Sequence, residues 1–439
     1  MAGESSTDAD PDPGTGESRS LVHHRDFVHL WSAETVSQVG TQVSMLAIPL
    51  MAIKVLHAST FQVGALTAVE FAPFLIVGLP AGAIVDRVRR RPVMMICDLG
   101  RAASLASLPI VHAFGALSMW QLYVVVFANG VMTVFFDVAN MSILPSLVDR
   151  DQIADGNAKL EVSRSGAQVA GPGLAGLLVQ WIGSVTAVLV DAVSFVGSAV
   201  FLSFIRTAEP PVEKHPPGMR PRLRTEIREG MAYVWHHTML RPIAFCTATS
   251  NLFSSMISAV YIVYAVRELH YAAGTIGLTF VFGGAGAVIG ALVCARVTRP
   301  FGVGPTIVWS IFVSGIGMLL VGLAPRSSAF AWFVVGWALF SFTGVVYNVN
   351  QGSLRQVITA PRLQGRMNAS MRFMVWGTMP FGALIGGALG TAIGLRPTLV
   401  VAGIGGMLAG FWVLCSPVRT LREMSDGPTT SGVEDTLVH

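Results

Sequence analysis

Twelve apolar runs, each about long enough to span a bilayer, succeed one another along the chain, and no other feature constrains its fold as tightly. They lie near 27–52, 61–84, 93–113, 118–140, 164–182, 185–205, 242–265, 275–294, 303–323, 330–352, 371–392 and 396–415. A helix needs about 20 mostly apolar residues to cross the hydrocarbon core, where each backbone polar group must be satisfied internally. The breaks carry Gly, Pro or charge, as at Arg89-Arg90-Arg91-Pro92 and Ala324-Pro325-Arg326. Only 12% of the residues are charged, against about 25% in soluble domains. That is too little charge to cover a water-facing surface, which excludes a soluble enzyme, a disordered chain and a disulfide scaffold. The expected fold is an all-α membrane protein of twelve transmembrane helices.

Twelve spans put both termini on one side. Of the 29 Lys and Arg, 24 fall in the tails and in alternate connections, while the opposite side holds Lys54, Arg267, Arg326 and Arg396. The positive-inside rule then predicts a multi-pass protein of the cell membrane with both termini cytoplasmic. Residues 1–26 are acidic and rich in Gly, Pro and Ser, as in a disordered cytoplasmic tail, and 417–439 read as a second tail. The cysteines (Cys97, Cys246, Cys294, Cys415) sit in apolar stretches without paired spacing, so neither a disulfide frame nor a metal site is expected. No basic block interleaves with aromatics, so nucleic acid is not an expected partner. There is no Gly-x-x-x-x-Gly-Lys, His-Glu-x-x-His or Gly-x-Ser-x-Gly, so no enzyme and no cofactor are expected.

The longest connection, 206–241, opens on Pro210, Pro211, Pro216, Pro217 and Pro221. Leu223, Ile227, Met231, Val234 and Trp235 then recur at helical spacing, with Arg222, Arg224 and Arg228 between them. This reads either as a helix on the inner leaflet or as an ordinary cytosolic linker helix. It separates a six-span bundle over 27–205 from a second over 242–416. The bundles repeat: at an offset of 211, Ser142, Asn157, Ala158, Gly171, Gly176 and Gly183 meet Ser353, Asn368, Ala369, Gly382, Gly387 and Gly394. Gly82-Ala83-Ile84-Val85 likewise meets Gly290-Ala291-Leu292-Val293. Parallel six-span repeats are a transporter architecture with a substrate site between the halves.

The segment Gly82-Ala83-Ile84-Val85-Asp86-Arg87-Val88-Arg89-Arg90-Arg91 resembles the loop 2–3 motif of the major facilitator superfamily, with Arg89 replacing its second Gly. Gly82 is expected to let helices approach, and Asp86 to pair with an Arg and face a helix N-terminus. Asp86, Arg87, Arg90 and Arg91 would form a latch that holds one conformation and releases another. Leu30-Trp31, Val36-Ser37-Gln38-Val39-Gly40, Asp98-Leu99-Gly100-Arg101-Ala102 and Phe135-Phe136-Asp137-Val138-Ala139 resemble the drug-efflux branch that includes the enterobactin exporter and macrolide-efflux proteins. Gly171-Pro172-Gly173-Leu174-Ala175-Gly176 is similar to that family's antiporter signature, a bend associated with export. As a dinucleotide fingerprint the same six residues fail, because no strand precedes them.

Ionisable groups within spans are functional candidates by default. Glu70 lies near the middle of span two, and Pro73 one turn later is expected to break the helix and admit water. A carboxyl there could exchange a proton for substrate or bind a substrate cation. Glu34, two turns into span one, is the second candidate. Asp98 and Arg101 can pair on one face of span three and, with Asp137, are expected to serve the latch. Asp191 in span six is left without a role. The resemblance implies that spans one, four, seven and ten line the cavity, so Asn129, Asn348, Asn350 and Gln351 are substrate candidates. Phe253, Tyr261 and Tyr264 are ambiguous between core and cavity. The reading is a monomeric, secondary active exporter, proton-coupled, moving a small amphiphilic compound (a drug, natural product or siderophore, cationic if the carboxyls line the cavity). Uptake or facilitated diffusion on the same fold, or a transport-inactive membrane sensor, are the alternatives.

Overall fold

In a computed structural model of the chain, residues 21–423 are described except Asp86, Ala208 and 210–222. Residues 1–20 and 424–439 of the outer tails and the Pro-rich stretch of the linker therefore lie outside the described residues. The first half is built from α1 (Arg25–Lys54), α2 (Thr60–Ile76), α3 (Gly78–Val85), α4 (Arg90–Ala113), α5 (Met119–Leu147), α6 (Ile153–Ile182) and α7 (Ser184–Ser203). After α8 (Leu223–His236), the second half holds α9 (Leu240–Arg267), α10 (Ala273–Phe301), α11 (Val303–Leu323) and α12 (Ala329–Ile358). It ends with α13 (Pro361–Trp376), α14 (Met379–Ala392), α15 (Leu395–Leu408) and α16 (Gly410–Leu414).

Every apolar run expected from the sequence is helical. Ten segments among the described residues are long and apolar enough to cross a bilayer. The remaining two runs are α2, with 17 residues, and α6, whose first half carries Asn157, Lys159, Glu161 and Arg164. Proline explains two of the breaks within spans. Pro80 has no N–H to offer Ile76, and α2 stops there; Pro380 has none to offer Trp376, and α13 stops there. Pro73, expected to break the helix, instead sits buried inside α2 and packs its ring near Gly130 of α5.

The structured chain also reaches further than the tail boundaries drawn from composition. Leu21 is buried with Phe27 and Leu30, so the order begins before residue 27. At the other end, the carbonyls of Leu421 and Arg422 accept from the N–H groups of Gly304 (2.9 Å) and Val303 (3.3 Å), capping the first turn of α11.

The sequence repeat corresponds to repeated jobs. Gly183 (φ +81°) and Gly394 (φ +95°) are the left-handed N-caps of α7 and α15. A Cβ on Gly171 would run into Gln42 of α1, and one on Gly382 into Leu252 of the equivalent helix α9. Gly176 and Gly387 do the reverse and face the opposite half. A Cβ on Gly176 would lie 2.6 Å from the Ala273 carbonyl oxygen of α10, and one on Gly387 would lie 3.1 Å from Gly64 Cα of α2.

The halves thus meet along two glycine seams, α2 on α14 and α6 on α10. Backbone can approach backbone there because nothing larger than hydrogen stands between. Both seams lie toward the end of the bundle that carries few arginines. At that end a single apolar core, from Val43 and Leu122 to Met256 and Leu399, runs through both halves. Toward the arginine-rich end the core splits in two, one cluster around Leu30 and Met94, the other around Leu240 and Met371. The bundle is closed at one end and cleft at the other.

Candidate functional site

A cavity of about 510 Å³ lies in the cleft, lined by Phe71 of α2 and by Thr247, Asn251, Asn348, Gln351, Arg355, Asn368, Arg372 and Trp376 of the second half. A recess of about 260 Å³ continues from it, sharing Asn368, Arg372 and Trp376 and adding Phe74, Leu75, Val134 and Val138. The first half therefore presents an apolar wall, and the second half a wall of amides and two guanidinium groups. Arg372 is held over the ring of Trp376, 4.9 Å from its centroid. Trp376 packs on Phe74 across the cleft at 5.0 Å.

Of the polar residues singled out in the sequence, Asn348 and Gln351 line the cavity. Asn350 is turned away, its amide donating to Thr298 Oγ1 (3.0 Å) and the Val346 carbonyl (2.9 Å). Asn129 likewise binds Ser104 Oγ at 2.7 Å and ties α5 to α4. Glu34 is buried and accepts from Asn140 Nδ2 at 3.0 Å. Glu70 is half-buried beside the cavity residue Phe71, its own backbone carbonyl facing Gly130, and no ion pair or side-chain hydrogen bond reaches it from the described residues. Phe253 packs on Gly405 of α15. Tyr261 and Tyr264 are buried in an aromatic cluster with Phe333, the Tyr261 hydroxyl 2.7 Å from Thr279 Oγ1.

The other groups form an electrostatic core of the first half. Arg101 pairs with Asp98, both buried, and its guanidinium is sandwiched between Phe136 (4.5 Å) and Phe195 (4.1 Å). Asp191, buried on α7, accepts from Ser194 Oγ at 3.2 Å and lies within the field of Asp98 and Arg101. Asp137 is half-buried between Arg101, Arg164 and, across the cleft, Arg372, with none of them paired to it.

Of the loop motif, Asp86 lies outside the described residues, and Arg87 is exposed. Arg90 and Arg91 are engaged within their own half. The Glu209 carboxylate accepts from their backbone N–H groups at 2.6 and 2.8 Å, capping α4 where its dipole favours an anion. The Arg91 side chain donates to the Leu202 and Ser203 carbonyls at the end of α7. A Cβ on Gly82 would meet nothing within 4 Å, unlike its repeat partner Gly290, packed on Phe342 of α12. In the antiporter-like segment α6 runs unbroken through Pro172, and its Gly171 and Gly176 serve the packing already described.

Sequence reasoning missed Arg355, Arg372 and Glu209. The two arginines read as ordinary cations at span ends, and Glu209 had no neighbour in sequence to mark it. Among the described residues no group of three or more His, Cys, Asp or Glu could hold a metal ion. Three cysteines are buried and Cys415 is exposed; all four are free.

A model of the family described as "Transmembrane secretion effector" matches residues 19–437. The chain is 22% identical over 401 residues to macrolide efflux protein A of Streptococcus pyogenes, covering 91% of this chain and 97% of that protein. It is 25% identical over 403 residues to multidrug efflux pump Tap of Mycolicibacterium fortuitum, covering 89% and 95%. Among solved structures, the nucleoside transporter NupG superposes with a TM-score of 0.70 at 11% identity, covering 89% of this chain and 98% of that one. A bacterial homologue of the iron transporter ferroportin in an inward-facing state gives 0.68 at 18% identity, covering 90% and 99%.

Proposed function

The chain belongs to the transmembrane secretion effector family of the major facilitator superfamily, a family of transporters, and from that premise we propose that it exports a small amphiphilic compound by proton-driven alternating access. One observation carries the reading: two glycine seams close one end of the bundle while a cavity lined by both halves opens at the other. A rigid-body rocking of the halves that parts the seams and shuts the cleft would expose the same cavity to the opposite side. The arginine distribution supports a cytoplasmic position for the open end and for both termini. The cavity of this state then loads from the cytoplasm, as an exporter requires. The relatives named for macrolide and multidrug efflux support a drug or natural product as cargo.

For coupling, Glu70 has the right setting. It sits on α2, a seam helix that moves against α14, next to Phe71 on the cavity wall, and no partner fixes its protonation state. A proton bound in one conformation and released in the other makes the gradient bias the equilibrium between them. Arg90 and Arg91, tied to the end of α7 and to Glu209, would hold the first half rigid at its open end.

Inverted membrane vesicles with an imposed proton gradient test this. Adding a panel of lipophilic drugs and siderophores should, for at least one compound, dissipate the gradient in vesicles holding the wild type and not in those holding Glu70→Gln. Efflux that persists without a proton gradient, or gradient-driven efflux intact in Glu70→Gln, would contradict the coupling.

A further inference from the structure

We propose that the cavity is an anion site, in which Arg355 and Arg372 receive a carboxylate or similar oxyanion on a compound whose flat apolar body lies against Phe71 and Trp376. This rests on the export reading above and names the substrate class of the same site.

The charges around the cavity are one-sided. Its lining holds two arginines and four side-chain amides (Asn251, Asn348, Gln351, Asn368), with no Asp or Glu among them. Neither arginine has an ion-pair partner among the described residues. Two other arginines of the second half do have one, Arg326 with Glu268 (3.1 Å) and Arg366 with Glu229 (2.5 Å). Arg396 spends its guanidinium on the Gly322 and Leu323 carbonyls. Arg355 is half-buried, and its Nε is shut off from solvent with no hydrogen-bond acceptor. A buried donor left unmatched carries a desolvation cost, and on a cavity wall a ligand oxygen would relieve it.

Topology alone accounts for cations at this end of the spans, but not for their turning into the cleft. Arg372 is exposed to the cavity and steered there by the Trp376 ring. Asp137 feels Arg372 from the opposite wall without pairing with it. A guanidinium fork binds a carboxylate through two parallel N–H donors, and the apolar wall of Phe71, Phe74, Val134 and Val138 lowers the local dielectric and strengthens the pair. The buried Gln351 Oε1, also without a donor, would take a hydroxyl or N–H of the same compound. A cation here would meet two like charges and no carboxylate in the cavity lining, with Asp137 and Glu70 set beside it, the reverse of what a cavity lined by Glu70 and Glu34 would favour.

Two probes that share a ring and differ in charge, 2-naphthoate and 2-naphthylmethylammonium, decide this. Binding to the full chain in nanodiscs of zwitterionic lipid is measured by calorimetry, with empty nanodiscs as the blank. The naphthoate should bind at least tenfold tighter than the ammonium probe. Arg372→Gln should weaken naphthoate about tenfold, Arg372→Lys less, and Arg355→Gln with Arg372→Gln should abolish the preference. Equal binding of the two probes, no binding of naphthoate, or unchanged naphthoate affinity in Arg372→Gln would overturn the proposal. Because Arg372 is exposed, its variants decide the matter even where Arg355→Gln does not fold. The vesicle assay separates the two readings: gradient-driven efflux from the drug panel without naphthoate selectivity overturns the anion site alone, and naphthoate selectivity without efflux of any compound overturns export alone.

Discussion

The two halves share a fold and even individual glycines, yet they place their charges differently. The first half buries an ionisable core, Asp98, Arg101 and Asp191, away from the cavity and shows the cleft an apolar wall. The second half builds its interior with neutral bonds, Asn350 to Thr298 and Tyr261 to Thr279, and turns two arginines toward the cavity. Equivalent backbones therefore need not mean equivalent chemistry. The repeat fixes how helices pack, and the side chains between the packing positions are free to divide the labour.

The sharpest way to break this contrast is to remove the core cation. Arg101→Leu leaves Asp98 buried without its partner and should cost about 3–5 kcal/mol. In the second half, Asn350→Leu removes a buried amide that makes neutral hydrogen bonds only and should cost about 1–2 kcal/mol. Chemical unfolding of the purified protein measures both, and equal losses would end the distinction.

A second test addresses the symmetry of the seams. Gly64→Val in α2 and Gly277→Val in α10 each push a branched side chain into the backbone of the other half, Ala383 in one case and Pro172 in the other. Each should shift the balance toward a state open at the arginine-poor end by about 1–3 kcal/mol, roughly ten- to hundredfold. Spin-label distances across that end should lengthen in both variants. A shift in one alone would make the seams unequal.

The ends of the linker differ too, and acid should separate them. At its start, Asp26 and Glu209 hold backbone N–H groups of Thr207, Arg90 and Arg91. At its end, buried His237 accepts from the N–H groups of Met239 (3.2 Å) and Leu240 (3.4 Å) through Nδ1. Burial holds His237 below its usual value of 6.5, so the folded chain keeps it neutral while the unfolded chain protonates. Its contribution is full above pH 6.5 and is lost as pH falls below it, by at most about 1.4 kcal/mol per unit. Thermal unfolding between pH 8 and 5 should show this slope, and His237→Asn, which keeps an acceptor without the titration, should flatten it. The smallest effect is expected from Glu209→Gln, about 1 kcal/mol, because its single amide oxygen still accepts from one of the two N–H groups while the other hydrogen bond and the dipole interaction are lost.

The architecture can be read almost entirely from the chain, because a bilayer leaves an apolar run of this length no other structure to adopt. The repeat is equally plain, since Gly183 and Gly394 must recur wherever a left-handed cap recurs. The site is read less well, for reasons that are physical. Glu209 meets Arg90 from 119 residues away, and nothing local marks it. Gly64 and Gly277 look like any glycines of a membrane helix until their partners are known. Arg355 and Arg372 belong to the same basic sequence pattern that sets topology, and only the cleft distinguishes a cation that faces the cavity from one that faces water. Glu70 is conspicuous in the sequence, yet its partner-free setting beside Phe71 emerges only in the packed bundle.

The measurement that bears most directly on the whole account is a reversible lock across the closed end. A Cβ on Gly390 would sit 2.7 Å from Thr60 Cγ2, so Thr60→Cys with Gly390→Cys should form a disulfide across the halves on mild oxidation. If the seams must part for substrate to leave, the oxidised protein should show no efflux and recover it on reduction. Efflux at the wild-type rate from fully cross-linked protein would contradict alternating access in this chain.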